Sequence, residues 1–430
     1  MLIRFGAQNH LSIHDRQELS MVATSLKDRE DGLIEYKNKS KQKLLPAAII
    51  YGANASGKSN LIAAFRSMWS MVLYSHSKGE PGGGVPINTF ALNSKSTTEP
   101  TIFDCDFIID GVRYHYGFEA TEDAFTSEWL YSYPAGTQRK LFERSGPMPE
   151  DVSFGSYLTG KKKDIAALMR PNSLFLSTAM QNNHQELFKV GTFFTSLSFY
   201  DSISTKGREI ESQFFEKDLD GRVFDFLEKI GTGVVGHRKT EREVPEEEKA
   251  FILGLGSLLR NTQGYTNIPE LTFDELGKKT SIELAHINSD GEKIYFKLDR
   301  ESAGTRRLLL MLGTIYRSLD QGVPLIIDEL DASLHTQACE ALVALFTNST
   351  TNPNGAQLIA TTHDTNLMIS SHLRRDEIWF TEKKTDGATD LYPLSDITTK
   401  KGDNFEKGYL QGRYGAIPFA SSIAELFKEG

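Results

Sequence analysis

The chain has 430 residues, which is enough for two or three domains of ordinary size and too long for a peptide or a disulfide-stapled miniprotein. Hydrophobic residues make up 39% of it and charged residues 24%, a composition that excludes a disordered, collagenous or coiled-coil chain and indicates a folded, water-soluble protein. The net charge of -9 gives the whole chain no electrostatic footprint for nucleic acid or an anionic membrane, so any such binding has to be local.

The cysteine content favours a reducing compartment. Only Cys105 and Cys339 are present, too few for a disulfide framework or a four-thiolate zinc site, so a cytoplasmic location is expected. The N-terminal residues lack the apolar core of a signal peptide, and no stretch approaches the roughly 18 uninterrupted apolar residues of a membrane span. The sequence therefore predicts no membrane partner.

Three short apolar runs are nearly continuous rather than alternating, which is typical of buried parallel strands: Ala47 to Tyr51, Leu325 to Ile327, and Leu358 to Ala360. The first run is followed by a helical pattern that places Leu61, Phe65 and Val72 on one face. The sequence thus predicts a strand, a loop and a helix in series, the context that a phosphate-binding loop requires.

Two other segments alternate with period two and predict antiparallel hairpins. Residues 103 to 118 alternate on either side of Asp110-Gly111, and residues 282 to 298 alternate on either side of Ser289-Asp290-Gly291. Asp104 and Asp106 take the outward positions of the first hairpin. We therefore expect these two aspartates to be surface residues and not a metal-binding pair.

The loop between the first buried strand and its helix, Gly52 to Ser59, matches the pattern G-x-x-x-x-G-K-[ST] in full. Glycines let the backbone wrap close to phosphate, N–H groups at the helix start donate hydrogen bonds, Lys58 reaches the outer phosphates, and Ser59 ligates Mg²⁺. The alternative is a chance match in a glycine-containing loop. The predicted nucleotide-binding residues are Gly52, Asn54, Ala55, Ser56, Gly57, Lys58, Ser59 and Asn60.

A second apolar strand ends in two carboxylates. Pro324 stands at its start, where a missing donor is tolerated, and Asp328 and Glu329 follow its last apolar residue. We expect Asp328 to hold Mg²⁺ through water and Glu329 to orient or deprotonate the attacking water. Taken alone, such a pair is commonly a solvated turn. Together with a complete phosphate loop, it predicts one catalytic site.

The segment Glu301 to Arg307 is a small-residue turn that opens an apolar helix. Ser302 and the backbone of Gly304 and Thr305 can present hydroxyl and N–H donors to an anion at the helix N-terminus, which would be a second phosphate-binding surface. The alternative is an ordinary helix N-cap, because serine and threonine are preferred capping residues.

Four segments together resemble the ATP-binding-cassette (ABC) ATPases: GANASGKSN, ESAGTRR, LIIDELDASLH and LIATTHD. The start IRFGAQNHLSI is further similar to the RecF, SMC and OLD-like soluble branch of that class. The resemblance implies an α/β P-loop NTPase fold, an ABC-type ATPase head with a mixed sheet and a mainly helical insertion, using ATP and Mg²⁺. The expected segments are a first ATPase lobe at 1–135, the insertion at 136–280, and a second lobe at 281–430.

The resemblance also implies the roles of particular residues. Ser302 and Gly304 would contact the γ-phosphate held by a second protomer, so ATP would be sandwiched in a dimer, from which higher homo-oligomers can assemble. Asp331 would be the D-loop residue that crosses this interface, and His363 the switch histidine that touches the γ-phosphate. Gln181 is the candidate for the remaining Mg²⁺ contact. Without the resemblance, a lone histidine such as His363 is more often structural.

The tail from Phe405 to Phe419 reads by itself as a loop packed on the core. It is also similar to the C-terminal signature of stand-alone ATPases in bacterial anti-phage defence, such as those of the PARIS and Septu systems. That likeness implies an ATP-hydrolysing switch that controls a separately encoded effector, a toxin or a nuclease.

Two alternatives remain open from the sequence. One is a RecF-like repair or recombination ATPase that binds DNA directly; the basic runs His237-Arg238-Lys239 and Lys161 to Lys163 are its candidates, although a charge run is usually a solvated face. The other is a scaffold that uses ATP only to assemble, against which the intact candidate base Glu329 argues.

Overall fold

A computed structural model provides the structure of the protein. It describes residues 1–36, 42–200, 220–243, 246–247, 249–250, 253, 278–400 and 402–417. Pro418 and Phe419, the end of the tail singled out above, lie outside the described residues. In the described ranges, no helix is both long enough and apolar enough to cross a membrane.

Contacts divide the chain into two units. The first consists of Met1–Asp201 and Thr314–Gly430, and the second is Ser202–Gly313. The predicted segments 1–135, 136–280 and 281–430 follow other boundaries and stay a prediction. Residues 136 to 200, which we assigned to the insertion, contribute strands and helices to the first unit.

A six-stranded sheet in the first unit carries the three predicted parallel strands. Its order is β11 (Ser198–Tyr200), β15 (Pro324–Ile327), β16 (Gln357–Thr361), β5 (Ala47–Gly52), β17 (Ile378–Lys383) and β18 (Thr389–Pro393). Only the β17–β18 pair is antiparallel among the described strands of this sheet. Every residue of β5, β15 and β16 is buried, which explains their continuous apolar sequences and confirms the parallel-strand prediction.

Eight α-helices have both ends in the described ranges: α1 (Lys58–Tyr74), α2 (Lys162–Ala166), α3 (Phe175–Gln181), α4 (Gln185–Ser196), α5 (Gly221–Lys229), α6 (Ala303–Gln321), α7 (Thr336–Thr347) and α8 (Phe405–Leu410). Helix α1 follows β5 directly and buries Leu61, Phe65 and Val72, as its pattern predicts. Trp69 Nε1 of α1 donates to Phe194 O of α4 at 2.9 Å. These contacts fix the helix that begins at the phosphate loop.

A seven-stranded antiparallel sheet forms the other layer of the first unit. Its order is β10 (Val152–Phe154), β9 (Arg139–Ser145), β8 (Phe125–Tyr133), β7 (Val112–Ala120), β6 (Thr101–Ile109), β1 (Leu2–Gln8) and β2 (Gln17–Ser20). Asp110 and Gly111 join β6 to β7 with φ of 48° and 75°. Two consecutive positive φ angles are what a two-residue hairpin turn requires, so the first predicted hairpin is confirmed. A two-stranded sheet pairs β3 (Ile34–Glu35) with β4 (Lys43–Leu44).

The prediction that Asp104 and Asp106 are surface residues is wrong. Their side chains are only 2% and 1% exposed. Arg4 lies across both carboxylates, at 2.8 Å from Asp104 Oδ2 and 2.6 Å from Asp106 Oδ2, and Arg113 adds a contact to Asp106 at 2.9 Å. Alternation assigns the correct face of the strand, but long arginine stems then cover that face.

His115 completes this ion cluster. Trp129 Nε1 donates to His115 Nε2 at 2.9 Å, and His115 Nδ1 lies 3.2 Å from Asp106 Oδ1 and 3.3 Å from Arg4 Nη2. Burial alone would raise the pKa of Asp106. The hydrogen bond from His115 and the charges of Arg4 and Arg113 outweigh it and lower that pKa to about 2.

The second unit contains a three-stranded antiparallel sheet of β12 (Gly236–Glu243), β13 (Lys278–Ile287) and β14 (Lys293–Lys297), which confirms the second predicted hairpin. In the basic run on β12, Arg238 binds Glu283 Oε2 at 2.6 Å and stacks over the Tyr295 ring at 4.1 Å. This arginine is therefore engaged within its own sheet.

Candidate functional site

The phosphate loop connects the end of β5 to the start of α1. Gly57, the residue before the helix, has φ of 111°, a conformation that side-chain-bearing residues rarely adopt. Lys58 is 7% exposed, and its Nζ donates to Gly52 O at 2.7 Å and Ala53 O at 3.1 Å. As the first residues of α1, Lys58 and Ser59 carry backbone N–H groups without acceptors inside the helix. The loop therefore directs donors to a common centre.

Three carboxylates act electrostatically on the Lys58 ammonium. Burial lowers the pKa of Lys58, while Asp328, Asp331 and Glu329 act in the opposite direction. All three follow β15 in the sequence. The C-terminal end of β15 lies at the same edge of the parallel sheet as the phosphate loop, and β16 lies between β15 and β5. The fold thus brings together the two motifs that the sequence assigned to one site.

One hydroxyl group fixes both acidic residues of the predicted catalytic pair. Thr361 Oγ1, at the end of β16, donates to Asp328 Oδ1 at 2.5 Å and accepts a hydrogen bond from the Glu329 backbone N–H at 2.7 Å. Glu329 has φ of 55°, a left-handed conformation that costs a glutamate free energy and that this bond helps to hold. Such stored strain is often found at functional sites.

Asp331 and His363 meet at the same place. Asp331 Oδ1 accepts hydrogen bonds from Thr362 Oγ1 at 2.8 Å and from the backbone N–H of His363 at 3.1 Å. The predicted D-loop carboxylate therefore also anchors the segment that carries the predicted switch histidine. The His363 side chain is exposed, as are those of Glu329, Asn54, Ala55 and Ser59. The predicted phosphate-facing residues thus line an open edge of the sheet.

Asn60 is bound to the protein rather than presented to solvent. Its Nδ2 donates to Ser12 Oγ at 2.7 Å, in the loop after β1. Ser56 is buried, and its Oγ lies 2.6 Å from Thr381 Oγ1 on β17. The side chains of Ser56 and Asn60 thus brace the loop, and nucleotide binding by these two residues stays a prediction.

Gln181 does not join this site. It is the last residue of α3, a helix whose Ser177 and Thr178 bond His76, just beyond the C-terminal end of α1. Helix α1 has 17 residues and is therefore about 25 Å long, which separates His76 from Ser59 by more than Gln181 can reach. The geometry does not support Gln181 as a Mg²⁺ ligand here.

Ser302, Gly304 and Thr305 lie at the start of α6 in the second unit. Ser302 Oγ accepts from the Thr305 backbone N–H at 3.0 Å and lies 2.9 Å from Thr305 Oγ1. Ser302 thus caps the helix, in line with the alternative noted in the sequence, and its contact with phosphate stays a prediction. Glu301, the preceding residue, binds His286 Nε2 at 2.8 Å.

A hard divalent cation fits the donor set at the edge of the sheet. Among the residues that the structure describes, no three His, Cys, Asp or Glu side chains form a metal cluster of their own. The Ser59 hydroxyl and the Asp328 carboxylate are oxygen donors of the kind Mg²⁺ binds together with substrate phosphates. When bound there, Mg²⁺ would neutralise charge on phosphate oxygens.

The buried parallel strands, the phosphate loop before α1 and the acidic segment after β15 define a P-loop NTPase with an ABC-type fold. The chain belongs to the family described as "AAA domain, putative AbiEii toxin, Type IV TA system", whose model matches residues 47–370. A solved structure, "Crystal structure of the SmcHead bound to the C-winged helix domain of ScpA", is similar at 12% identity and a TM-score of 0.39, covering 91% of this chain and 97% of the other. No curated protein matches the chain.

Sequence reasoning missed the hydroxyl residues that position the motifs: Ser12, Thr361, Thr362, Thr381 and Thr389. A signal existed for two of them. Thr361 and Thr362 end a predicted strand next to the one that carries Asp328, so contact was foreseeable. Ser12, Thr381 and Thr389 lie far from either motif in sequence, and no pattern marks them.

Proposed function

We propose that this protein is an ATP-hydrolysing molecular switch that assembles through ATP-sandwich dimers and controls a separately encoded effector in anti-phage defence. The observation that carries the ATPase part is the meeting of Lys58 with Asp328 and Glu329 at one edge of the parallel sheet. Phosphoryl transfer depends mainly on positioning and charge stabilisation, which a buried ammonium facing fixed carboxylates supplies.

The roles of the residues follow from their surroundings. Lys58 and the N–H groups at the start of α1 bind phosphate oxygens, while Ser59 and Asp328 hold Mg²⁺. Glu329, whose backbone Thr361 fixes, orients and deprotonates the attacking water from its exposed position. His363 is exposed at the same edge, so it can donate a hydrogen bond to the γ-phosphate.

The dimer is supported by the second set of predicted phosphate donors, Ser302 and Gly304, which belongs to the other unit. One nucleotide does not need two such surfaces from one protomer. The effector is supported by the family description, which names a toxin and a toxin–antitoxin system. The tail's likeness to the ATPases of PARIS and Septu points the same way.

A mixing experiment tests the sandwich. Lys58→Met and Ser302→Arg are purified separately as full chains, and phosphate release is measured for each and for an equal mixture. In a symmetric sandwich, each mixed dimer has one intact composite site, so we expect the mixture to recover about a quarter of the wild-type rate, although each variant alone is inactive. A mixture as inactive as its components contradicts the sandwich.

Measurements of solution mass and ATP turnover distinguish the proposed switch from a scaffold and from a DNA-binding ATPase. With ATP and Mg²⁺, Glu329→Gln should keep or increase association while losing hydrolysis. A wild-type rate equal to that of Glu329→Gln would indicate a scaffold, and stimulation by duplex DNA that falls with salt would indicate a DNA-binding ATPase.

In cells, the chain and the protein encoded beside it should lower phage plating. Equal plating with Glu329→Gln would refute the defence switch.

A further inference from the structure

Strand β18 contacts the phosphate loop through the side chain of Thr389. The Thr389 hydroxyl donates to Ser56 O at 3.0 Å, and its backbone N–H donates to Ser12 O at 2.7 Å. A Cβ atom added to Gly57 would lie 2.0 Å from Thr389 Oγ1. Glycine is therefore required at position 57 for two reasons, its positive φ and the close approach of this hydroxyl group.

Three hydrogen bonds form a chain whose direction is fixed by its ends. Asn60 Nδ2, which can only donate, is 2.7 Å from Ser12 Oγ; Ser12 Oγ is 2.7 Å from Thr389 Oγ1; and Ser56 O, which can only accept, ends the chain. The Ser12 proton therefore points to Thr389, and the Thr389 proton to Ser56. Bonds aligned in this way polarise and strengthen one another.

This chain of hydrogen bonds determines where the next backbone donor, the Gly57 N–H, points. The peptide between Ser56 and Gly57 is trans, so its C=O and N–H point in opposite directions. Because Thr389 holds the Ser56 carbonyl toward β18, the Gly57 N–H points away from β18. Asn54, Ala55 and Ser59 are exposed on the same loop, and a phosphate group would reach the loop's donors from its exposed side.

We propose that Thr389 is a positioning residue for phosphate binding, its hydroxyl directed by Asn60 and Ser12 to hold the Ser56–Gly57 peptide with its N–H toward the bound phosphates. This inference rests on the proposed ATPase function and deepens it. The edge strand β18 and the loop after β1 then belong to the nucleotide site although neither touches nucleotide. Asn60 acts through this chain and not through direct contact with the nucleotide.

The protein contains a matched control for removal of the Thr389 hydroxyl group. Thr101 on β6 is buried, as Thr389 is, and its Oγ1 donates to a backbone carbonyl, Asn9 O, at 2.7 Å. Thr101→Val therefore removes the same kind of bond outside the chain of three bonds that directs the Thr389 hydroxyl. Thr389→Val keeps the shape of the side chain without its hydroxyl, and Thr389→Ser keeps the hydroxyl.

The binding experiment measures the Kd of ATP by calorimetry, and kcat and KM by phosphate release, on full chains. We expect Thr389→Val to raise the Kd and KM about tenfold with kcat changed less than about twofold, the loss of one directed hydrogen bond. Thr389→Ser and Thr101→Val should stay within about twofold of wild type. Adding Ser12→Ala to Thr389→Val should cost nothing further, because both act through one chain.

A second measurement needs no nucleotide. Hydrogen exchange of the amides of residues 56 to 59 should be faster in Thr389→Val than in wild type and Thr389→Ser. Wild-type Kd, KM and exchange in Thr389→Val would overturn the proposal, as would a serine variant as impaired as the valine one or an equal loss in Thr101→Val. If the wild type binds no ATP but exchange responds as expected, the proposed function fails while the positioning of the loop stands.

Discussion

Two regions of the first unit bury charged groups, and they do so in opposite ways. In the antiparallel sheet, buried Glu128 accepts from Phe175 N, Leu176 N and Tyr116 OH at 2.6, 2.9 and 2.9 Å. At the edge of the parallel sheet, Lys58 and the acidic segment are held by protein groups on one side, while Ser59, Glu329 and His363 are exposed on the other.

The difference separates charge that stabilises the fold from charge that can bind a ligand. A buried ion whose partners are all protein groups contributes to structure, and its removal leaves those partners unpaired. Groups that are fixed but open on one side keep their electrostatic interaction for an incoming ligand. Substitutions in the two regions should therefore have separable effects on unfolding and on turnover.

The largest expected effect is on stability, from Arg144 in the antiparallel sheet. Its guanidinium donates to the carbonyl oxygens of Gly146, Ser173, Pro147 and Pro171 at 2.7 to 3.3 Å. Arg144→Met keeps an unbranched apolar stem but removes all four of these hydrogen bonds, so unfolding in urea should show a loss of about 3–5 kcal/mol.

The control for this prediction is Lys140→Met on the same strand, whose ion pair with Glu143 is largely exposed. It should change the free energy of unfolding by less than about 0.5 kcal/mol. The folded Arg144→Met protein should keep wild-type kcat/KM for ATP. A loss in Arg144→Met as small as that of Lys140→Met would contradict the structural role.

Lys58→Met should show the opposite pattern. Removing the ammonium that faces the phosphates should lower the rate of ATP hydrolysis by about 10²–10³-fold. The free energy of unfolding should fall by less than in Arg144→Met, because Lys58 donates two hydrogen bonds to carbonyl groups and Arg144 donates four. Lys163→Met, an exposed lysine on α2, is the control and should hydrolyse ATP at the wild-type rate. Residual activity near wild type in Lys58→Met would place the chemistry elsewhere.

A third buried ionisable group, Glu377, directly precedes β17 and adds a dependence on pH to this comparison. Glu377 is fully buried beside Arg29 and accepts from the Arg374 backbone N–H at 2.7 Å. Burial raises the pKa of Glu377 to about 7 although the arginines oppose it. The folded protein therefore keeps a proton that the unfolded chain releases above a pKa of about 4.5, and stability from this group is lost as pH rises from about 4.5 to 7.

Glu377→Gln cannot ionise, so it removes this pH dependence. Between pH 5 and pH 8, wild type should lose about 2–3 kcal/mol of stability relative to the variant. Urea unfolding of both proteins across this range measures the difference. A wild-type to variant difference that stays constant from pH 5 to pH 8 would show that Glu377 is ionised throughout.

The smallest expected effect comes from Thr361, which holds Asp328 and Glu329 by one hydroxyl. Thr361→Val should lower kcat about tenfold while the Kd of ATP changes less than about twofold, because the acidic pair loses its orientation and the phosphate loop does not. Thr361→Ser should recover most of the rate. A rate in Thr361→Ser as low as in Thr361→Val would contradict this role of the hydroxyl group, because serine keeps it.

The sequence predicts the residues of the phosphate loop better than it predicts the residues that hold this loop in place. Gly57, Lys58 and Ser59 are adjacent in the chain, and the backbone geometry they need is local, so their spacing alone identifies the loop. The bond between Thr389 and Ser56 joins residues 333 positions apart. Contacts of that separation depend on which strands become neighbours in the sheet, and local patterns do not encode that.

The aspartates of β6 show the same limit from the other side. Period-two alternation correctly places Asp104 and Asp106 on the outward face, because side-chain direction is a property of the strand itself. Their burial depends on Arg4, which β1 brings alongside β6 as an antiparallel neighbour. Exposure is therefore decided by the neighbouring strand and not by the pattern.

The sequence by itself determined the buried parallel strands, both hairpins and the chemical identity of the groups predicted to face phosphate, since each depends on residues close together in the chain. Tertiary structure alone decided that Thr361 joins Asp328 to Glu329, that Asp331 anchors His363, and that Gln181 lies at the far end of α1. The physical reason is that sheet order and helix packing set these distances, and both arise from burial summed over the whole unit.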